Sequence, residues 1–165
     1  MQAKIKTLVF LVDVKTGKVG LSTKKYGPAK DWYNGYGGKV EYGEDINVGA
    51  LRELKEEAGI SANVDDLSFI AKLVFEFPHL NEDAVGYVFV LTKWQGEPKE
   101  SNEMTAPKWF DINNLPFNKM WDSDRIWVPL VLNATNMQND FSQKIFARLV
   151  FDKNFKINKW SVEEL

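Results

Sequence analysis

The apolar residues of this chain fall into strand-length runs separated by turn formers, and one long stretch carries them at helical spacing instead. Ile5 to Val14 predicts a strand, Thr16-Gly17 a turn, and Val19 to Lys24 a second strand. Tyr26 to Gly38 is a Gly- and Pro-bearing loop. In the helical stretch successive residues step about 100° around the axis, which puts Ala50, Leu51, Leu54 and Ala58 on one side, facing a core. Asp45 is placed to cap that helix and Gly59 to end it in a left-handed conformation. Leu67 to Phe77 and Ala84 to Lys93 predict two strands joined by a polar loop. Gln95-Gly96-Glu97-Pro98 is a turn, and Lys108 to Asp111 a short strand. Trp127 to Asn133 predicts a second helix with Pro129 in its first turn. Phe141 to Phe151 and Phe155 to Val162 predict a closing hairpin around Asp152-Lys153-Asn154. The sum is an α/β chain, a mixed sheet between helices.

Composition narrows the setting. A length of 165 residues predicts one domain, 1–165, with a sizeable core. A net charge of -2 and a pI near 5.5 argue against long DNA or RNA as a partner. The absence of cysteine excludes disulfides and thiolate metal sites. No apolar run approaches a membrane span, and MQAKIKTLVF lacks a signal-peptide cleavage pattern. A cytoplasmic monomer acting on a small molecule is the expectation.

The candidate chemistry lies in Gly38 to Ile60, GKVEYGEDINVGALRELKEEAGI. On the predicted helix Glu53, Glu56 and Glu57 share a side at i, i+3 and i+4. Like charges at that spacing repel, and a hard divalent cation with oxygen ligands would compensate. Arg52, one turn before Glu56, is placed to orient or partly neutralise it. Three glutamates alone more often make a solvated face. Here the flanking glycines, Glu44 and Arg52 stand at set distances, and the metal site outweighs that reading.

The stretch fits G-x5-E-x7-R-E-U-x-E-E-x-G-U, with U a bulky aliphatic residue, through Gly38, Glu44, Arg52, Glu53, Leu54, Glu56, Glu57, Gly59 and Ile60. It resembles the signature of the Nudix hydrolases, which cleave nucleoside diphosphates linked to another group and use divalent metal. The resemblance implies their fold, an α/β/α sandwich with a mixed sheet. Asp31 to Lys39, Val74 to Phe77, Glu103-Met104, Trp109-Phe110, Leu115 to Phe117, Met120-Trp121 and Trp127 to Leu130 are further similar to the animal MutT-type enzymes that hydrolyse 8-oxo-dGTP and 2-hydroxy-dATP. The similarity runs from Thr7 to about Asn133, and the C-terminal third matches loosely.

That resemblance implies roles. The Gly38 carbonyl and the carboxylates of Glu53, Glu56, Glu57 and Glu103 would hold Mg²⁺, with Mn²⁺ as a substitute. Lys24 would meet the phosphates. Thr7, Asn34, Phe75, Trp121 and Asp124 would line the base pocket. A glutamate beside the cation can take a proton from the attacking water; Glu57 or Glu56 is placed for this, and Glu57 is chosen. Water at the β-phosphorus would release monophosphate and pyrophosphate. The implied function is Mg²⁺-dependent hydrolysis of oxidised or modified purine nucleoside triphosphates, which sanitises the nucleotide pool. The alternatives are hydrolysis of other nucleoside diphosphate derivatives, such as dinucleoside polyphosphates, and a non-catalytic nucleotide-binding domain. One departure stands out. The animal enzymes place two adjacent aspartates after the pocket tryptophan and a proline, and this chain reads Trp121-Asp122-Ser123-Asp124. Aligned without a gap, Asp124 keeps the second aspartate and Ser123 replaces the first. The departure bears on the breadth of base specificity and not on the hydrolysis. Asp122 is the alternative occupant of the role if the loop is rearranged.

Overall fold

Alternation along the first strand decides how the layers stack. In the computed structural model, which describes residues 3–132 and 141–165, β1 spans Lys4–Asp13. Val9 and Leu11 point to one face, Phe10 and Val12 to the other, and all four are buried. Each face is covered by a helix. Val9 and Leu11 pack with Ala50, Leu54 and Ala58 of α1 (Ile46–Ala58). Phe10 and Val12 pack with Trp127, Val128 and Val131 of α2 (Asp124–Val131). The α/β/α sandwich expected from the sequence is therefore the observed architecture.

Between the helices lies one mixed sheet. It contains β2 (Lys18–Thr23), β3 (Tyr33–Asn34), β4 (Leu67–Phe77), β5 (Glu82–Leu91), β6 (Lys108–Asp111), β7 (Ile145–Phe151) and β8 (Ile157–Glu164). The order is β3-β2-β1-β5-β4-β7-β8, with β6 also on β2. The β1–β5 and β4–β7 pairs are parallel, and the remaining pairs are antiparallel.

The termini of α1 match the expectation. Asp45 accepts from the N–H groups of Asn47 and Val48 at 2.9 and 3.3 Å, and Gly59 closes the helix at φ 71°. Loss of such a cap costs about 1 kcal/mol. Leu51 is only partly buried at the edge of this cluster.

Other elements differ. The loop Tyr26 to Gly38 contains β3. The second helix starts at Asp124 rather than Trp127, which puts Pro129 inside it and not in its first turn. Pro129 has no N–H to give to Arg125, and the helix stops two residues later, where Leu132 N–H still reaches Val128. Asn133, its predicted end, lies outside the described residues. The predicted hairpin forms, but β7 begins at Ile145 rather than Phe141.

Candidate active site

The acidic face of α1 is not uniform. Glu57 stands between Leu54 and Ala58, the residues that bury the helix, and only 1% of it is exposed. Glu53 is mostly covered, whereas Glu56 is about half exposed. The common acidic side expected from the sequence is therefore graded, because Glu57 lies nearest the core stripe.

A glycine pair lets the chain close over this helix. Gly37 and Gly38 run beside β1, where Thr7 N–H donates to the Gly38 carbonyl at 2.8 Å. A Cβ on Gly37 would lie 1.9 Å from the Thr7 carbonyl oxygen, and one on Gly38 would lie 2.4 Å from the Glu53 carboxyl carbon. The Gly37 N–H reaches Glu57 Oε1 at 3.3 Å, while Glu57 Oε2 has no protein partner. Burial pushes the Glu57 carboxyl up to about 8. The Lys24 charge and the Gly37 N–H pull it down, and the Glu53 and Glu103 charges push it up. Burial likewise raises Glu53, whose neighbours include Arg52, Glu56 and Glu103. Lys24, Glu53 and Glu103 are thus brought within electrostatic reach of Glu57. Lys6 joins them, its ammonium disfavoured by burial and by the Lys24 charge.

Arg52 has a wider role than its position before Glu56 implies. Its Nε and Nη2 donate to the two oxygens of Glu44 at 2.7 and 3.0 Å. Nη2 also reaches the Lys39 carbonyl at 3.0 Å, and Nη1 donates to Glu53 at 3.0 Å. Glu56 is its weakest partner, at 3.4 Å. Hydrogen bonds from Arg52 hold the Glu44 carboxyl at about 2. A fork-to-fork pair of this kind fixes geometry as well as charge. It ties the loop before α1 to the helix and aims Glu53. Arg52→Lys cannot reproduce the fork, and it is expected to raise the divalent-metal concentration needed for half-maximal turnover by roughly 10–100-fold. A metal titration of turnover checks this, and an unchanged midpoint would remove Arg52 from the site.

Among the described residues, no three acidic or histidine side chains already converge closely enough to hold a cation. The donor set nonetheless fits one. Glu53 lies against Gly38, whose carbonyl keeps a second lone pair, and the buried Glu57 oxygen lacks a partner. All of these are hard oxygen donors, the type Mg²⁺ takes. Glu103 contributes its charge from the loop beside Lys25, whose N–H its carbonyl accepts at 2.9 Å.

Of the residues expected around a base, Phe75, Trp121 and Asp124 lie on the α2 side, whereas Thr7 shares the face of Val9 and Asn34 pairs with Ser22, on the side of α1. Trp121 packs edge-on against Trp32 at 5.1 Å between ring centroids. Phe75 lies over Gly86. Thr7 is buried with its hydroxyl unpartnered. The Asn34 carbonyl accepts from Gly35 N–H at 2.8 Å, which leaves its NH₂ as the group free for a base edge. Asp124 is buried, pushed up to about 7 by desolvation and opposed by the indole N–H of Trp127, which donates at 3.2 Å. Ser123 is fully buried and its hydroxyl has no protein partner. Asp122 does not take its place: its carboxylate binds Arg125 at 2.8 Å and accepts from Ile157 N–H at 2.8 Å. A cavity of about 310 Å³ opens by Trp32, Phe117, Met120 and Arg125. Another of about 500 Å³ opens at the turn between β4 and β5. Neither contains the carboxylates of α1, so chemistry and not concavity locates the site.

Two features near the acidic centre are missing from the sequence-based expectation: the Glu44 anchor and Lys6. The eight-residue spacing of Glu44 and Arg52 is a signal for the first. Trp121 also meets the rings of Phe151 and Phe155, each with centroids 6.0 Å away, contacts for which the sequence carries no local signal.

Comparison with known proteins adds an independent observation. A model described as the NUDIX domain matches residues 4–131. An oxidized purine nucleoside triphosphate hydrolase of Danio rerio is 44% identical over 130 residues, 79% of this chain and 80% of that protein. The protein of the same description in Mus musculus is 37% identical over 139 residues, 84% and 86% of the two chains. A MutT protein from Bacillus halodurans superposes with a TM-score of 0.79 over 97% of each chain, at 21% identity, a likeness of fold.

Proposed function

The chain belongs to the Nudix hydrolase family, and from that premise we propose that it hydrolyses oxidised or modified purine nucleoside triphosphates to monophosphate and pyrophosphate. The observation that carries the reading is Glu57. It is a nearly fully buried carboxylate with one unpartnered oxygen, facing Lys24, Glu53 and Glu103 across a glycine pair. A structural residue gains nothing from that arrangement, since burying an unpaired carboxylate costs several kcal/mol. The relatives' activity supports the substrate class. Nudix enzymes use a divalent metal, and Mg²⁺ is the ion proposed here.

In this reading Glu53, Glu56, Glu57, Glu103 and the Gly38 carbonyl hold the cation, which supplies positive charge against the phosphates. Lys24 adds a second positive group on the phosphate side. Glu57 takes the proton of the attacking water, and Arg52 keeps Glu53 aimed while Glu44 anchors Arg52. Trp121 stacks on the base, Phe75 and Thr7 line its pocket, and Asn34 and Asp124 read its edge. One domain carries the activity, acting on a small molecule. No helix among the described residues is long and apolar enough to cross a membrane.

The product test is direct. Chromatography should find monophosphate and pyrophosphate from 8-oxo-dGTP, and direct release of orthophosphate refutes the reading. Base selection is tested at the pocket. Trp121→Ala is expected to raise KM by about 5–150-fold, because base stacking is worth roughly 1–3 kcal/mol. Asp124→Asn should alter the ratio of kcat/KM among 8-oxo-dGTP, 2-hydroxy-dATP, O6-methyl-dGTP and dGTP more than it alters the best turnover. With its carboxyl near 7, Asp124 donates below that pH and only accepts above it. The parent's base preference should therefore shift between about pH 6 and 8, and that of the Asn variant should not. A uniform loss on all substrates counts against Asp124 as a base reader. Ser123→Asp should broaden the range of bases accepted.

A further inference from the structure

The family match ends at residue 131, yet the chain beyond it reaches back to the base pocket. Trp121 is held edge-on by Phe151, the last residue of β7, and by Phe155 in the following turn, each with centroids 6.0 Å away. Phe155 also packs on Phe77 at 6.1 Å and on His79 at 5.6 Å. Phe77 stacks on Phe151 at 4.9 Å and 15°. One aromatic wall thus joins β4, the loop before α2, and the β7–β8 turn.

The turn is built to hold Phe155 there. Phe155 has φ 59°, a left-handed conformation that a bulky side chain rarely adopts and that surrounding structure must enforce. The enforcement is visible. Asp152 Oδ1 accepts from the N–H groups of Asn154 and Lys156 at 2.8 and 3.0 Å. Phe155 N–H donates to the Asp152 carbonyl at 3.0 Å, and Asp152 N–H to the Lys156 carbonyl at 2.9 Å. The turn is then fastened across the molecule by Asp122, the residue next to Trp121. Its Oδ2 accepts from Ile157 N–H at 2.8 Å, and its Oδ1 faces Lys156 at 3.8 Å while bound to Arg125. This mostly buried carboxylate has its bonds on the C-terminal turn and on α2, none on the carboxylates of α1.

We propose that Asp122 is a positioning residue that latches the β7–β8 turn onto the pocket, and that Phe155 is a specificity-determining wall of the site that holds the purine against Trp121. The proposal rests on the substrate class proposed above. Strain at a non-glycine residue is retained where function needs the side chain, and glycine would occupy the same backbone freely. The latch explains why an aspartate directly follows Trp121.

The test uses steady-state kinetics on 8-oxo-dGTP and dGTP with the full chain and Mg²⁺. Phe155→Gly keeps the turn's backbone conformation and removes the ring. It is expected to raise KM for 8-oxo-dGTP at least tenfold, with a much smaller change in kcat, and to narrow the preference over dGTP. Asp122→Ala should give the same KM effect, and Asp122→Asn, which retains an acceptor for Ile157 N–H, should recover most of it. Hydrogen exchange of residues 152–157 should quicken in Asp122→Ala and not in Asp122→Asn. In the double variant the KM effects should not multiply, because both act through one turn. Unchanged KM and preference in Phe155→Gly, or independent multiplying effects, overturns the proposal. If the parent itself fails to hydrolyse either triphosphate, the substrate reading has failed. The exchange result and thermal melts still report whether Asp122 holds the turn.

Discussion

Replacing Glu57 by glutamine is expected to lower turnover at least roughly 10²-fold while the fold persists, because the amide cannot accept the proton of the attacking water. The same substitution should change how stability depends on pH. The Glu57 carboxyl is raised from 4.5 to about 8 in the folded chain. Between those values the folded state binds a proton that the unfolded state has released. Its contribution is therefore complete below about pH 4.5 and is lost as pH climbs to about 8, an effect on the order of a few kcal/mol. Asp124, raised from 3.8 to about 7, acts in the same sense and remains in the variant. With chelator present, the parent's melting temperature should thus fall more steeply from pH 5 to 8 than that of Glu57→Gln. At pH 8, Mg²⁺ should raise the parent's melting temperature more than the variant's. Parallel melting profiles with and without the substitution would show that the Glu57 carboxylate is open to water. Full activity in excess chelator would remove the metal site.

The second large effect is expected from one methyl group. Gly37→Ala would put Cβ 1.9 Å from the Thr7 carbonyl oxygen and 2.9 Å from the Leu8 Cα. These are backbone atoms of a central strand, paired with β5 on its other side, so neither partner can yield cheaply. Overlaps of this kind belong with the rare substitutions that cost more than about 4 kcal/mol. At this chain length that is a fall of roughly 10 °C in melting temperature. Turnover should collapse as well, because the displaced segment carries the N–H that meets Glu57. Gly43→Ala is the comparison. Gly43 has φ 76°, but a methyl group added there would meet nothing within 4 Å, and its cost should be limited to about 1 kcal/mol of backbone strain. Equal effects at the two positions would mean that conformation, not close approach, explains the glycine pair.

Much of this is legible in the sequence because it is local. The caps at Asp45 and Gly59, the apolar stripe of α1 and the run of β4 each follow from neighbouring residues, and each appears where expected. The carboxylates of α1 are legible for the same reason. Their unequal burial is not, since it depends on the Gly37-Gly38 segment lying over one of them. The start of α2 is displaced from its expected position because a proline favours the first turn of a helix, whereas tertiary packing of Trp127 and Val128 keeps Pro129 inside this one. Adjacency to Ser123 makes Asp122 a candidate base reader on sequence alone. Its partner Ile157 lies 35 positions away, beyond the reach of any pattern in the chain.

The parallel pairing of β4 with β7 has a kinetic consequence. Ala71 is in register with Ile145, and β7 follows every strand of the acidic centre in chain order, so during synthesis this contact forms after those segments have emerged. β1, β2, β5, β6 and α1 supply the acidic centre and its lysines from earlier segments, although their own pairings, such as Lys4 with Ala84 and Lys18 with Asp111, close loops at least as long. During synthesis the hydrolytic centre is therefore expected to assemble before the aromatic wall. An immature chain would carry the means of cleavage before the means of discrimination, and fidelity would be the last property this protein acquires as it folds.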